Sequence, residues 1–489
     1  MVECVNLRKK YMTVTAVEDI SLNIQAGKMY ALLGPNGSGK TTLMKMIAGL
    51  TRQTSGTLLY EGQPIGVESK KHIAYMPTES YFYSYMNCLD IGKYYSDFFE
   101  DFSMEKYRQL LDEMELDIRQ KANKMSSGMM AKLKIAATLA RDSRLIMLDE
   151  PLNGIDIIAR EKIINTIMAS ADGHRAFILS SHLVDELEKI IDYAVFIKKV
   201  QSSCREMLRL YVRSRASRLL NSIRVSMHRA GENDMLKLIK YEFRKNLYGI
   251  AVMLGIIALA QIYFMYACFI DQNRNKALAG AWILFFCAVV CFFMVFAFGI
   301  VTYSRELSNK TSYLVFMTPN RSIKIIGSKL LFTFLNGVMV ALLLAGLWLI
   351  DWKLLMDMWE QEVSVIEMVF DLVKNFGINV TDIAYGISLF VINFLINFFM
   401  AVTLAYLCIT LTATVLQNRK IKGLISVILY IFLFYAVNKI GGLLPVLYES
   451  PENMQQVVIT ALPCMVFFLI IIAGAVVGTA QLLDKKVSL

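Results

Sequence analysis

The distribution of apolar residues divides the chain into two parts of different character. Residues 1–199 contain short apolar runs, such as Met29–Leu33 and Ala176–Leu179, which are typical of buried strands in an α/β domain. From about residue 247 onward, the apolar runs are long enough to cross a lipid bilayer as helices. The pattern therefore predicts an α/β domain followed by an all-α membrane domain.

Six runs in the second part have the length of a membrane-spanning helix. They lie near residues 248–270, 279–303, 330–350, 385–415, 424–447 and 457–482. The connections 304–329 and 416–423 are rich in lysine and arginine, whereas 351–384 carries seven acidic residues and two lysines. Because cytoplasmic connections are enriched in basic residues, both ends and the 304–329 loop are expected in the cytoplasm. No ionisable residue is expected at the centre of a span except Lys439, which could equally lie near a span end, and the long outer connection begins at Asp351.

The composition supports a membrane protein and locates its positive charge. Of the 489 residues, 56% are hydrophobic, and the formal net charge is +10. Residues 1–199 hold 25 basic and 25 acidic residues, whereas 200–246 hold 11 basic and 4 acidic ones. We therefore expect a first domain over 1–199, a basic linker with an amphipathic entry helix over 200–246, and a membrane domain over 247–489.

The most basic part of the linker, 201–234, holds seven arginines. Beside an apolar run, such a segment suits a helix lying on anionic lipid, and it is equally typical of a solvated linker. Nucleic acid is not expected as a partner, because no groove-reading motif accompanies the arginines. The eight cysteines include no CxxC pair, so neither a disulfide framework nor a cysteine metal site is expected. The first residues lack the apolar core of a signal peptide, so the first domain is expected in the cytosol.

A glycine-rich loop gives the first indication of chemistry. The segment GPNGSGKT, Gly34–Thr41, fits the pattern GxxxxGK[ST] between an apolar strand and a predicted helix. Glycines let successive backbone N–H groups face phosphate oxygens, and the helix N-terminus adds positive charge. Lys40 is expected to reach the β- and γ-phosphates, and the Thr41 hydroxyl to ligate Mg²⁺. The candidate ATP ligands are Gly34, Pro35, Asn36, Gly37, Ser38, Gly39, Lys40, Thr41 and Thr42.

Two acidic residues follow a second buried strand. In RLIMLDEP, Arg144–Pro151, four apolar residues lead into Asp149 and Glu150. Ligands of parallel sheets bind at the carboxyl ends of the strands, so both carboxylates are expected near the phosphate loop. Asp149 is a candidate Mg²⁺ ligand, and Glu150 is a candidate catalytic base that polarises a water for attack on the γ-phosphate.

The order of these motifs resembles the nucleotide-binding subunit of ATP-binding-cassette (ABC) transporters over residues 1–199. The resemblance implies a P-loop domain with a RecA-like core and a helical subdomain. It implies that Tyr11 stacks on adenine and that His182 contacts the γ-phosphate as a catalytic residue. MSSGM, Met125–Met129, resembles the family signature LSGGQ, and LNGID, Leu152–Asp156, resembles the loop that crosses the dimer. Ser126 and Gly128 would then contact ATP held by the opposite subunit, although Ser126 could simply cap a helix.

The chain departs from the family pattern at three positions. Ser127 occupies the position of the first glycine of the signature, and Met129 occupies the position of its glutamine. Thr78, with Glu79 beside it, occupies the position of the usual magnesium-sensing glutamine. These changes bear on the hydrolysis rate and on coupling. The aromatic stretch Glu79–Phe99 is expected to form the core of the helical subdomain, with its surface docking a membrane partner.

The loop that joins the second and third spans resembles the first cytoplasmic loop of bacterial type-two ABC exporter permeases. Glu306, Pro319 and Lys329 fit that pattern loosely, and such a loop docks on the nucleotide-binding domain. Together, the two resemblances imply a half-transporter that works as a homodimer or with a related chain, in a bacterial cell membrane. Export of a peptide, lipid or hydrophobic drug is expected. The alternatives are an ATP-gated membrane sensor of antibiotic or envelope stress, or a soluble ATPase tethered to the membrane.

Overall fold

The structure is a computed structural model of the whole chain. It describes residues 1–11, 14–181, 187–188, 190–197, 233–359, 380–415, 421–445, 447–448 and 454–485. The chain forms two compact units. The first unit comprises Met1–Lys237, Ser308–Arg321 and Lys485–Leu489, and the second comprises Leu238–Leu307 and Ser322–Asp484.

The strands of the first unit form two sheets. In chain order they are β1 (Val2–Tyr11), β2 (Val14–Ile24), β3 (Met29–Leu33), β4 (Ser55–Tyr60), β5 (Gln63–Pro64), β6 (Ile73–Met76), β7 (Leu145–Asp149), β8 (Ala176–Ser181) and β9 (Tyr193–Phe196). The first sheet is antiparallel, with the order β2-β1-β4-β5, and the second is parallel, with the order β6-β7-β8-β3-β9. Every residue of β3, β7 and β8 is buried, as expected for strands covered on both faces.

Six α-helices lie between the strands within the described residues 14–181. They are α1 (Lys40–Ile47), α2 (Val67–His72), α3 (Cys88–Phe98), α4 (Met104–Glu113), α5 (Ser127–Leu139) and α6 (Ile157–Ala169). A polar residue caps the N-terminus of four of them, since Asn87, Ser103, Ser126 and Asp156 each accept a backbone N–H of the first turn. The predicted strands and the helix after the phosphate loop are thus confirmed.

A small helical layer contains α3, α4 and α5. Tyr81, Tyr94 and Tyr107 are almost completely buried in it. Arg141, which is 3% exposed, donates to both carboxylate oxygens of Asp101 and to the carbonyl of Ile73 in β6. The aromatic stretch therefore forms the core of a helical subdomain, as predicted, and Arg141 joins that subdomain to the parallel sheet.

The segment Ser308–Arg321 belongs to the first unit, although its flanking helices belong to the second. It contains a short helix, α9 (Ser312–Phe316), numbered after the two long helices that precede it. Tyr94 Oη donates to the carbonyl of Leu314 at 3.0 Å, and Lys70 Nζ to that of Phe316 at 2.7 Å. The predicted loop 304–329 is shorter than expected, because the flanking helices extend to Ser308 and from Ser322.

The described residues of the second unit form six long helices. They are α7 (Asn233–Phe269), α8 (Arg274–Ser308), α10 (Ser322–Met358), α11 (Val380–Val415), α12 (Lys422–Gly441) and α13 (Met454–Lys485). All six are long and apolar enough to cross a membrane. The prediction of six spans is therefore confirmed, and Lys439 lies near the end of α12.

The helices of the second unit pack through small residues and one buried group of charges. A Cβ on Gly299 of α8 would lie 2.7 Å from Thr333 Oγ1 of α10, so glycine permits this close approach. Lys329 pairs with Glu242 and Glu306, and Lys245 Nζ lies 3.0 Å from Glu306 Oε2. The charges compensate one another where water is excluded, which is the condition for keeping ionised groups buried.

The largest difference from the sequence-based expectation concerns Asp351. The sequence pattern places it in an outer loop, but α10 continues to Met358 and Asp351 is 5% exposed within it. The helix continues because Leu354, Leu355 and Met358 pack on the apolar cluster of α7 and α8. The basic segment 201–232 lies outside the described residues, so its predicted surface helix or linker stays a prediction.

Candidate functional site

The phosphate loop joins β3 to α1 and holds Lys40 against the loop itself. Lys40 is 6% exposed, and its Nζ donates to the carbonyls of Gly34 at 2.7 Å and Pro35 at 3.3 Å. The N–H of Ser38 donates to the Pro35 carbonyl at 3.2 Å, which closes the turn. The loop therefore presents a concave backbone surface with one buried ammonium group, as phosphate recognition requires.

Two glycines are required for this shape. A Cβ on Gly34 would lie 2.2 Å from the carbonyl oxygen of Ile197, and one on Gly39 would lie 2.3 Å from that of Ala16. The φ angles of these glycines are 149° and 105°, which disfavour other residues. Gly37 has φ 78°, but a Cβ there would meet no atom within 4 Å, so the requirement for glycine is conformational only.

Asp149 ends β7 and is completely buried. Ser180 of β8 donates its hydroxyl to Asp149 Oδ1, and Tyr75 of β6 donates to Oδ2 at 3.3 Å. The carboxylate is thus held by a hydroxyl group from each neighbouring strand. This fixed orientation is what a ligand of a hard cation needs.

Glu150 follows directly and adopts a left-handed backbone conformation with φ 52°. Its N–H donates to Ser180 Oγ at 2.9 Å and to the Ser180 carbonyl at 3.2 Å, which stabilise this conformation. The Oε1 atom lies 3.8 Å from Lys40 Nζ. The fold therefore brings Lys40, Asp149 and Glu150 together at the carboxyl ends of β3 and β7, as the sequence predicts.

The segment Pro77–Glu79 after β6 is held by a lysine that the sequence did not indicate. Lys134 of α5 donates from Nζ to the carbonyls of Pro77 at 2.9 Å, Thr78 at 2.7 Å and Glu79 at 3.4 Å. Burial lowers the pKa of Lys134 to about 8, while Glu79 and Asp149 act in the opposite direction. Thr78 is exposed and contributes its carbonyl, whereas Glu79 Oε2 is buried without a hydrogen-bond partner in the described part of the chain.

The remaining candidate residues lie elsewhere on the first unit. Ser126 caps α5 by accepting the N–H of Met129 at 3.3 Å, and a Cβ on Gly128 would lie 3.2 Å from the carbonyl of Gly154. Their contacts are thus with α5 and the Leu152–Asp156 loop rather than with the group around Lys40. Tyr11 ends β1, with Lys9 Nζ 4.7 Å from its ring centroid. His182 lies outside the described residues, so its role stays a prediction.

Sequence reasoning missed Tyr75, Ser180 and Lys134. The first two had a detectable signal, since each lies in a strand and within a few residues of a predicted site position, Thr78 or His182. No signal in the sequence marked Lys134, because a lysine in a helix of mixed polarity is ordinarily solvated.

The two candidate Mg²⁺ ligands, Thr41 and Asp149, carry the oxygen groups that such an ion needs. Thr41 lies half-buried in the first turn of α1, and with Asp149 it offers the hydroxyl and carboxylate oxygens that Mg²⁺ prefers. Among the described residues there is no group of three or more His, Cys, Asp or Glu side chains able to hold a metal. Two protein ligands suffice where phosphate oxygens and water complete the coordination.

Comparison with known proteins agrees with this geometry. Residues 17–153 match the family model described as ABC transporter. The chain is 32% identical over 199 residues to the lantibiotic transport ATP-binding protein SrtF of Streptococcus pyogenes, covering 40% of this chain and 86% of that protein. It is 29% identical to an uncharacterized ABC transporter ATP-binding protein of Synechocystis sp., covering 39% of this chain and 56% of that relative's own length.

A solved dimeric structure of a bacterial ABC transporter cassette is also similar to this chain. It is 21% identical, covers 40% of this chain and 94% of its own, and has a TM-score of 0.37. The match to the family model includes the phosphate loop, Asp149 and Glu150. The chain belongs to the ABC transporter family, with the matched residues lying in a P-loop nucleotide-binding domain that precedes six apolar helices.

Proposed function

We propose that the chain is an ATP-driven half-transporter of a bacterial cell membrane, with the nucleotide-binding domain in the cytoplasm. Its activity is ATP hydrolysis coupled to export of a hydrophobic or amphipathic compound. One observation carries the proposal: Lys40, Asp149 and Glu150 converge in the first unit of a chain whose second unit contains six helices of membrane-spanning length. A phosphate site and a helical membrane unit in one polypeptide suit energy coupling.

Nucleotide binding rests on the phosphate loop. When ATP binds, its phosphate oxygens take the place of the Gly34 and Pro35 carbonyls as acceptors for Lys40 Nζ. The N-terminus of α1 and the loop N–H groups, from Gly37 to Thr42, stabilise the same negative charge. Tyr11 is proposed to stack on the adenine.

Glu150 is proposed as the general base. Its carboxylate lies 3.8 Å from Lys40, which is proposed to contact the γ-phosphate, so a water beside that phosphate would be within its reach. The left-handed backbone conformation of Glu150, with φ 52°, supports a special role for this position. Mg²⁺, held by Thr41 and Asp149, would neutralise charge that develops on the phosphates. His182 is proposed to hydrogen-bond the γ-phosphate.

A second copy, or a related chain, is proposed to complete the site. Ser126 and Gly128 lie at the exposed N-terminus of α5, whose positive end suits a γ-phosphate. Their contacts within the chain do not involve the group around Lys40. Each nucleotide would therefore be bound between the phosphate loop of one subunit and α5 of the other.

The segment Ser308–Arg321 is proposed to transmit this closure. It joins two membrane-spanning helices, yet it packs in the first unit through Tyr94 and Lys70. Lys45 of α1 lies over the Tyr313 ring at 5.0 Å, so the segment reaches the helix that follows the phosphate loop. Movement at the nucleotide would displace the segment and the helices that it joins.

The exported compound is proposed to be a peptide, a lipid or a hydrophobic drug. SrtF is named for lantibiotic transport, which supports the peptide class for this chain. The apolar helices of the second unit suit any of the three classes.

ATP turnover and flux in proteoliposomes test the proposal. The wild type is expected to hydrolyse ATP and to concentrate an antimicrobial peptide or lipophilic dye, whereas Glu150→Gln binds ATP with turnover at least ~100-fold lower. Equal turnover in both forms would refute the role of Glu150. Turnover without flux, across a panel of peptides, lipids and dyes, would refute transport and indicate a membrane sensor instead.

A further inference from the structure

An apolar cavity in the second unit contains one carboxylate. The cavity has a volume of about 320 Å³ and lies between α8 and α10. Its wall includes Phe285, Trp348, Asp351 and Trp352. It adjoins a second apolar cavity of about 250 Å³, with which it shares the lining residues Ala288 and Leu344. Together the two cavities have the size and lining of a site for a small hydrophobic molecule.

Asp351 is a buried acidic residue with no cationic partner among the residues that the structure describes. It is 5% exposed, and its Oδ1 accepts a hydrogen bond from Gln261 Nε2 at 2.6 Å. Within the described residues, Oδ2 has no hydrogen-bond partner, and no lysine, arginine or histidine pairs with Asp351. The buried charges near Lys329 are compensated, so Asp351 differs from every group in that cluster. An ionisable residue kept unpaired inside a membrane unit indicates function.

The groups around Asp351 favour a positive charge on a ligand bound there. Gln261, which donates to Asp351, has a buried Oε1 without a hydrogen-bond partner in the described part of the chain, so this carboxamide adds an acceptor to the same hydrogen-bonded pair. The ring faces of Trp348, Trp352 and Phe285 attract positive charge as well as apolar surface. A carboxylate and aromatic rings in an apolar wall favour a hydrophobic cation. The buried N–H of Trp352, which has no hydrogen-bond partner among the described residues, is a donor that a polar group of the same ligand would satisfy.

We propose that this cavity binds a hydrophobic monocation, with Asp351 as its counter-ion and the aromatic wall holding its apolar part. This inference rests on the proposed function only for the direction of transport. Under that function, the cation is a compound that the transporter exports. The same ammonium chemistry is found on the headgroup of phosphatidylethanolamine, so the source of the cation is either an exported solute or a membrane lipid.

Binding of tritiated tetraphenylphosphonium to the full-length protein tests the proposal. The protein is placed in nanodiscs of phosphatidylglycerol, which carries no ammonium group, and no nucleotide is added. Saturable binding above that of empty nanodiscs is expected for the wild type. Asp351→Asn retains the shape and the bond to Gln261 but removes the charge, and it should weaken binding at least tenfold. Tetraphenylborate, which has the same shape and opposite charge, should not compete.

Two further variants control for folding and for general charge effects. Asp357→Asn removes an exposed carboxylate from the same helix and should leave the affinity unchanged. Asp351→Glu keeps the charge and should bind at least threefold more tightly than Asp351→Asn. If Asp351→Asn does not fold, competition by tetraphenylborate against the wild type still decides, since equal affinity for the two ions overturns the proposal. Equal affinity of wild type and Asp351→Asn also overturns it.

The source of the cation is decided by lipid composition. If adding phosphatidylethanolamine to the nanodiscs displaces the probe, the natural occupant is the lipid headgroup. If it does not, the occupant is a solute. Because no ATP is present, absence of probe binding overturns this inference alone, whereas ATP turnover that is insensitive to Glu150→Gln overturns the proposed function alone.

Discussion

The ammonium group of Lys134 gives a prediction whose size and pH dependence both follow from the structure. Lys134 is 5% exposed, and two of its hydrogen bonds to loop carbonyls have lengths of 2.9 and 2.7 Å. Lys134→Met removes donors worth about 1.5–3 kcal/mol each in bonds to a charged group. It also removes the cost of burying the charge. The pKa of 10.5 for an ordinary lysine falls to about 8 here, a difference that corresponds to about 3 kcal/mol.

The two contributions oppose each other near neutral pH. At pH 7.5 the variant should be less stable than the wild type by about 0–3 kcal/mol. Because the folded-state pKa of Lys134 lies below the unfolded one, the folded chain releases its proton first as the pH rises above 8. The wild type therefore gains stability between about pH 8 and 10.5, and the variant does not. From pH 7.5 to 9.5, the difference between them should grow by about 2 kcal/mol.

Hydrogen exchange of the full-length protein in detergent measures this effect. Protection of amides in residues 73–80 and 127–139, corrected for intrinsic exchange at each pH, gives the local free energy of opening. Lys132→Met, at a half-buried position of the same helix, is the control and should show no such growth. If the difference between wild type and Lys134→Met is the same at both pH values, the buried ammonium does not control this segment.

Four other substitutions, of which Gly37→Ala is the control for Gly39→Ala, test the site and its supports. Gly39→Ala should weaken ATP binding at least tenfold, because its Cβ would meet the Ala16 carbonyl, whereas Gly37→Ala should weaken it less; fluorescent nucleotide titration measures both. Arg141→Met should destabilise the helical subdomain by about 1.5–3 kcal/mol in hydrogen exchange, because the half-buried Asp101 carboxylate and the Ile73 carbonyl lose their charged donor. Tyr94→Phe should weaken attachment of α9 by about 0.5–1.5 kcal/mol and lower substrate stimulation of ATP hydrolysis more than basal hydrolysis.

Each of these predictions has an outcome that contradicts it. Equal ATP affinity of the two glycine variants would mean that the loop accommodates a side chain at Gly39. Unchanged exchange in Arg141→Met would mean that the ion pair is replaced by other contacts. A parallel fall of basal and stimulated hydrolysis in Tyr94→Phe would place the effect in the nucleotide site instead of the segment Ser308–Arg321.

Local sequence patterns predict the parts of the protein that depend on backbone geometry. Gly34 and Gly39 are recognisable because only glycine fits their close contacts, and the apolar run before Asp149 is recognisable because a strand buried on both faces needs it. The six spans follow from hydropathy alone. The nucleotide-binding fold and the family are therefore predictable from the sequence, while the individual roles of the site residues stay predictions.

Patterns along the chain do not predict contacts between distant residues. The pattern places Asp351 in a loop because a charged residue ends an apolar run, whereas packing of Leu354 and Leu355 extends the helix past it. Lys134 carries the mark of a solvated residue, and its three carbonyl partners lie more than fifty positions away. Most of the predicted spans are shorter than the helices in the structure. Hydropathy detects the lipid-facing residues and not the helical turns that continue beyond them.

The discontinuous composition of the first unit has a practical consequence for protein expression. A recombinant fragment that ends at residue 199 or 237 lacks Ser308–Arg321, so Tyr94 and Lys70 lose their acceptors at Leu314 and Phe316. The apolar surface that covers Leu314 and Val315, which are 2% and 5% exposed, would then face solvent and promote aggregation. A synthetic peptide of residues 308–321, supplied in trans, is the natural additive for such a fragment.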